Sequence, residues 1–227
     1  MTWAQNEETR AVQCYRSSGS GQPDPSNKDP NFTRRSCLRE SPWTRNLQDI
    51  RGLFGEGQPC LHVDLHGCKD PASPGAGFHL IAGLRAMELA DRADVEEFRA
   101  QLGGILPVIL KGFDINMRPA TMNTGACWDE GRCTLSQQGL ADEGGGWSHA
   151  VQLEMSTSFR AELMGDAELR SCMAEGVLLA WQATLASGGQ YLSPVVPPLR
   201  ELQASVAALL QRAKAHHKRR SSGDIAR

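Results

Sequence analysis

The sequence has seven cysteines, at 14, 37, 60, 68, 127, 133 and 172, yet no C-x-x-C pair. An odd count without that spacing argues against a zinc ribbon or a secreted disulfide scaffold and fits free thiols in a reducing compartment. Also missing is any apolar run near the roughly 18–20 residues that cross a bilayer. The opening Met1-Thr2-Trp3-Ala4-Gln5-Asn6-Glu7-Glu8 lacks the basic stretch and apolar core of a secretory signal. Neither sign of charge dominates. The net charge is −2 and the isoelectric point lies near 6.3, which gives no global reason to expect nucleic acid or a membrane surface as a partner. There are no internal repeats. These absences predict a soluble, intracellular, cytoplasmic protein with no membrane partner. They leave an organelle and the oligomeric state open.

What is present is a chain of 227 residues, enough for one large α/β domain. Residues 1–42 are rich in Ser, Pro, Asn, Gly and Arg without periodicity, and read as an irregular or disordered segment. Residues 43–190 read as an α/β hydrolase-type domain, and 191–227 as a C-terminal helix with a basic tail. Helices are expected over about 43–54, 79–90, 95–110, 166–186 and 199–214 from apolar residues at helical spacing. Asp94 is the expected N-cap of the third, and Pro107 is expected to kink or end it. Strands are expected over 60–65, 113–118 and 151–155, with 119–148 as a long loop of the kind that tends to be functional. Strands separated by helices predict a mixed, mostly parallel sheet flanked by helices, with ligands bound beyond the strand ends.

The stretch that carries chemistry is Leu61-His62-Val63-Asp64-Leu65-His66-Gly67. Alternation on a strand puts His62, Asp64 and His66 on one face and Leu61, Val63 and Leu65 on the other. A polar stripe ending at a glycine makes sense as the floor of a metal or catalytic site; the plainer alternative is a half-exposed strand. A zinc hydrolase needs about three protein ligands, an open position for water and a carboxylate to move the proton. His66 suits a ligand, with His62 as a further candidate on the same face. Asp64 suits a partner that orients an imidazole, and Glu154 suits the general base. Arg118 or Arg160 suits a substrate carboxylate, held through a bidentate fork. Cys68, next to the strand end, is a weaker candidate for thiol chemistry. The basic run Lys214-Ala215-His216-His217-Lys218-Arg219-Arg220 reads as a solvated terminus.

Four segments together resemble the N-formylglutamate amidohydrolase family, a relative of the zinc carboxypeptidases and the aspartoacylase group. They are Asp29-Pro30-Asn31-Phe32, Leu61 to Gly67, Phe78-His79-Leu80-Ile81-Ala82-Gly83, and Val151-Gln152-Leu153-Glu154-Met155-Ser156 with Arg160. The likeness covers roughly residues 29–185. It implies a zinc carboxypeptidase-like mixed sheet, one zinc, and a small-molecule or peptide substrate hydrolysed at an amide, often one beside a carboxylate. It further implies that His66 is the third zinc ligand and Glu154 the catalytic base. The family's first two ligands come from an upstream His-x-x-Glu segment, and here no histidine precedes position 62. Position 79 is His where the family often has an acidic residue. Three readings follow: an N-terminally incomplete chain, a degenerate binding protein that has lost zinc, or a rewired site using His62, His79 or His149.

Overall fold

The computed structural model describes residues 17–18, 22–23, 33–39, 41–55, 57–71, 77–113, 115–116, 126, 131–188 and 197–222. In chain order the elements begin with β1 (Ser17–Ser18), β2 (Gln22–Pro23), β3 (Thr33–Arg34), α1 (Pro42–Gly52), β4 (Leu61–Cys68) and β5 (Leu80–Gly83). Then come α2 (Arg85–Leu89), α3 (Val95–Ile109), β6 (Ile115–Asn116), β7 (Arg132–Cys133) and α4 (Leu135–Leu140). The last are β8 (His149–Ser156), α5 (Thr157–Gly165), α6 (Ala167–Ser187) and α7 (Leu199–Ser222). The chain divides into two compact units: Met1–Asp64 with Gly83–Asp91 and Pro119–Gln152, and Leu65–Ala82 with Arg92–Arg118 and Leu153–Arg227.

The architecture is α/β, but the expected mostly parallel sheet is corrected to a small mixed one. Its strand order is β4-β8-β5-β6. β5 and β6 are parallel, with Leu80 opposite Ile115. The Ser156 N–H at the end of β8 donates to the His79 carbonyl just before β5 begins, so these two neighbours run in opposite senses. The expected helix over 79–90 is also corrected. Leu80 and Ala82 are fully buried in β5, and only Arg85–Leu89 winds into a helix. The 119–148 stretch holds β7, α4 and a 3-10 turn at Asp142–Gly144.

In the first unit, Ser41 caps α1, its hydroxyl accepting the Thr44 N–H, and Pro42 at the first helical position loses nothing by lacking an N–H. Thr134 and Gln137 form a reciprocal capping box on α4. Buried polar groups tie these pieces together. The Thr44 hydroxyl donates to Gln138 Oε1 at 2.9 Å, while Gln138 Nε2 donates to the Cys133 carbonyl at 3.3 Å. The Trp147 indole N–H is shared by the Leu47 and Gly144 carbonyls. The Ser148 hydroxyl takes the Cys60 N–H and donates to the Cys60 carbonyl, both at 2.8 Å. Gly144 is required by space: a Cβ there would collide with the Gln138 carbonyl oxygen.

In the second unit, α3, α6 and α7 pack on one another through Phe98, Leu102, Leu106, Ile109, Leu169, Val177, Leu185 and Leu209, all buried. Gly176 lets α6 approach α3, since a Cβ there would stand 2.6 Å from Ile109 Cδ1. α3 continues past Pro107 to Ile109, so the proline does not break it. The basic run is helical rather than a loose tail, and its side chains are partly engaged. Arg220 pairs with Glu162 at 2.6 Å and Asp166 at 3.3 Å, and His216 Nε2 meets Asp166 at 2.7 Å; just before the run, Arg212 pairs with Glu168 and Glu175. Asp166 also caps α6. Burial pushes its carboxyl upward, but the Leu169 N–H, His216 and Arg220 outweigh that and hold it below the usual carboxylate range.

Candidate functional site at the strand ends

The polar stripe of β4 faces inward. Asp64 is 5% exposed, whereas Val63 is 38% and Leu65 65% exposed, and His62 and His66 are half-buried. A strand that turns its charges in and its leucine out gains nothing from hydrophobic burial on that side. The stripe divides between the units. In the first, Asp64 accepts from the buried Ser136 hydroxyl at 3.3 Å, and the His62 ring stands edge-on to Trp147 at 5.7 Å. These contacts give Asp64 and His62 local partners in the first unit. His66 and Glu154 fall in the second.

There, the end of β4 meets the end of β8 and the start of α5. The Arg160 guanidinium lies against Gly67, where a Cβ would overlap it. Arg160 donates to the Thr157 hydroxyl at 3.2 Å, and that hydroxyl donates to the Cys68 carbonyl at 3.3 Å. Burial pushes the Cys68 thiol up, Glu154 and Asp70 push the same way, and Arg160 offsets them in part. Cys68 therefore has two carboxylates and a guanidinium for neighbours. A thiol held protonated is a poor nucleophile, which weakens the thiol-chemistry reading. Alternation along β8 puts Glu154 on the same face as Ser156.

A second group adjoins the first, and of it the sequence singles out only His79, as an alternative metal ligand. Asp70 Oδ1 accepts the Ser158 N–H at 2.7 Å. The Ser158 backbone and hydroxyl lower the Asp70 carboxyl most, desolvation opposes them, and with the Ser156 hydroxyl and His79 the net effect holds it below the usual range. His79 Nδ1 lies 3.1 Å from Ser156 Oγ and 3.4 Å from Ser158 Oγ. The His79 ring is edge-on to Phe113, which packs on Phe159. The one local signal for the serines was the run Ser156-Thr157-Ser158-Phe159, a strand ending in a helix cap, with the Ser156 hydroxyl accepting the Phe159 N–H.

Of the residues expected to act, the structure gathers Glu154 and Arg160 around the segment that follows His66. Arg118 lies outside the described residues, as does Asp29-Pro30-Asn31-Phe32. A zinc site needs about three protein donors. Among the described residues no group of three or more His, Cys, Asp or Glu side chains is arranged to hold an ion, so this set does not fit zinc. Two cavities open in the second unit. One of about 620 Å3 is lined by Ser158, Glu162, Asp166, His216, Arg219 and Arg220, and one of about 290 Å3 by Lys111, Phe113, Glu162, His217 and Arg220. Among the described residues no helix is long and apolar enough to cross a membrane.

No family model, curated protein or solved structure matches the chain. The resemblance to N-formylglutamate amidohydrolases thus rests on its short motifs, and function has to be argued from the strand-end residues.

Proposed function

We propose that the chain is a hydrolase of the N-formylglutamate amidohydrolase type, cleaving an amide that neighbours a carboxylate, with its site at the ends of β4 and β8. Glu154 takes a proton from the attacking water while the water oxygen bonds to the carbonyl carbon. The C–N bond then breaks, and the same proton passes to the leaving nitrogen, giving a carboxylic acid and a free amine. Arg160 holds the substrate carboxylate. Its guanidinium is anchored at one nitrogen by Thr157, and the residue is exposed. The observation that supports this reading is the convergence of Arg160 and Glu154 on Gly67-Cys68, directly after His66. His66 remains the residue that would contribute to a metal site. One imidazole is not a zinc site, and no step above depends on one.

The test is hydrolysis of N-formyl and N-acyl amino acids. Glu154→Gln is expected to lower kcat/KM by roughly 10²–10⁴-fold with an unchanged melting temperature. Gly67→Ala, whose methyl takes the space of the Arg160 guanidinium, is expected to raise KM more than it lowers kcat. Full activity in Glu154→Gln would overturn the assignment. Elemental analysis of the wild-type chain beside His66→Ala reports whether metal is bound and whether His66 holds it. The lack of a three-donor group among the described residues favours a second reading, a degenerate relative that binds without turnover. That reading predicts no hydrolysis, with acyl-amino-acid binding that disappears in Arg160→Ala.

A further inference from the structure

The cavity of about 290 Å3 beside the last turn of α7 lies wholly in the second unit, and its polar residues take no part in the strand-end chemistry. His217 lines it. His217 Nε2 stands 2.7 Å from the Ile109 carbonyl oxygen, which can only accept, so Nε2 carries a proton. In the neutral ring Nδ1 is then a bare acceptor. Among the described residues nothing bonds to Nδ1, and it is not buried. Lys111, on the same cavity, is exposed and has no carboxylate partner among the described residues. The remaining charges facing His217 are already engaged. Arg220 holds Glu162 at 2.6 Å and Asp166 at 3.3 Å, and His216, whose ring neighbours that of His217, donates to Asp166 at 2.7 Å. The C-terminal ends of α3 and α7, at Ile109 and Ser222, add partial negative charge. One unspent cation, one bare acceptor and a negative background suit an oxyanion that brings its own proton.

We propose that this cavity is a phosphomonoester site. Lys111 pairs with the ionised oxygens, and a single proton lies between His217 Nδ1 and the nearest phosphate oxygen. A phosphomonoester loses its second proton near about pH 6, so near neutral pH it still supplies a P–OH. Sulfate has no such proton and sets a lone pair against Nδ1. Two sources supply this chemistry. One is a free phosphomonoester. The other is Ser221, which lines the cavity, is exposed and follows Lys218-Arg219-Arg220. Its Oγ would take the terminal phosphoryl group of a nucleoside triphosphate in a kinase reaction, losing the hydroxyl proton as the nucleoside diphosphate leaves. The Ser221 hydroxyl now donates to the His217 carbonyl at 2.9 Å, a bond that the phosphate would replace. The assignment does not depend on the proposed hydrolysis.

The deciding experiment follows 15N–1H correlations of histidine-labelled protein while inorganic phosphate is added at about pH 7.5, where an ordinary imidazole is mostly neutral. Sodium sulfate at matched ionic strength is the comparison, and His217→Gln identifies the signals among six histidines. Phosphate is expected to shift the His217 signals with an apparent Kd roughly tenfold or more below that of sulfate. The preference is expected to shrink at about pH 5.5, where a protonated ring offers sulfate an N–H. Lys111→Ala, an exposed change, is expected to weaken phosphate roughly tenfold or more. An equal response to the two anions at the higher pH, or wild-type binding in Lys111→Ala, overturns the proposal. A chain made with phosphoserine at 221 separates the sources. Signals of His217 already shifted, and indifferent to added phosphate, identify Ser221 as the carrier. An undiminished response to added phosphate strikes Ser221 and leaves a free phosphomonoester.

Discussion

In the first unit, Gln138 bridges the Thr44 hydroxyl and the Cys133 carbonyl, Ser148 holds both ends of the Cys60 peptide, and the Trp147 N–H is divided between two carbonyls. Thr44, Gln138 and Trp147 are buried and Ser148 is half-buried, and Gln138, Ser148 and Trp147 each bond at two points. In the second unit, Asp70, Ser158 and Arg160 are exposed at a strand end. Burial decides what a polar group can do. A saturated one fixes its neighbours, because removing it leaves partners unpaired in a medium that cannot solvate them. An exposed one keeps donors and acceptors for something that arrives from solution.

Three substitutions probe that contrast. Gln138→Ala should have the largest effect, since it removes the acceptor of the buried Thr44 hydroxyl and a donor to the Cys133 carbonyl. A loss of roughly 3–5 kcal/mol in denaturant unfolding is expected, and a loss under about 1 kcal/mol would mean that the first unit does not depend on its saturated bonds. Asp166→Asn comes next, because the second unit has one closed network of its own. The Asp166 carboxyl is held below its ordinary value, so its contribution is present above that value and is lost as pH falls through the folded one. At pH 7 the substitution should cost roughly 2–3 kcal/mol. Below about pH 4 the wild type should approach the variant. Parallel pH profiles would show that Asp166 is not linked to folding. Leu65→Ala should have the smallest effect, under about 1 kcal/mol, because Leu65 is 65% exposed. A loss of several kcal/mol would reveal a covering partner for that face.

Much of the scaffold could be read from the chain. Apolar spacing marks the helices expected over about 43–54 and 166–186, and the alternation of Val151, Leu153 and Met155 marks β8. The residues at 80–83 were misread because four buried apolar or small residues fit either period, and their length favours a strand only once their sheet neighbours are known. Alternation on β4 separated two faces correctly but carries no sign, so it could not say that Asp64 turns in and Leu65 out. Glu154 and Arg160 stood out by residue type. Asp70 did not, and His79 stood out only as an alternative metal ligand, because the contacts that join them to β8 and α5 span 77–88 positions of sequence. Such contacts have no local period or spacing.

Trp147 has a use beyond the packing already described. Its indole is buried, bonded to two carbonyls and flanked by the rings of Phe54 and His62, all within the first unit, while Trp181 is buried in the second. Each unit thus contains its own intrinsic fluorophore in a water-poor setting. Among the five tryptophans, the difference between the native chain and Trp147→Phe isolates the first-unit signal, and the difference between the native chain and Trp181→Phe isolates the second-unit signal, during a denaturant titration. Coincident curves would then describe one cooperative transition, and separated curves would give each unit its own midpoint.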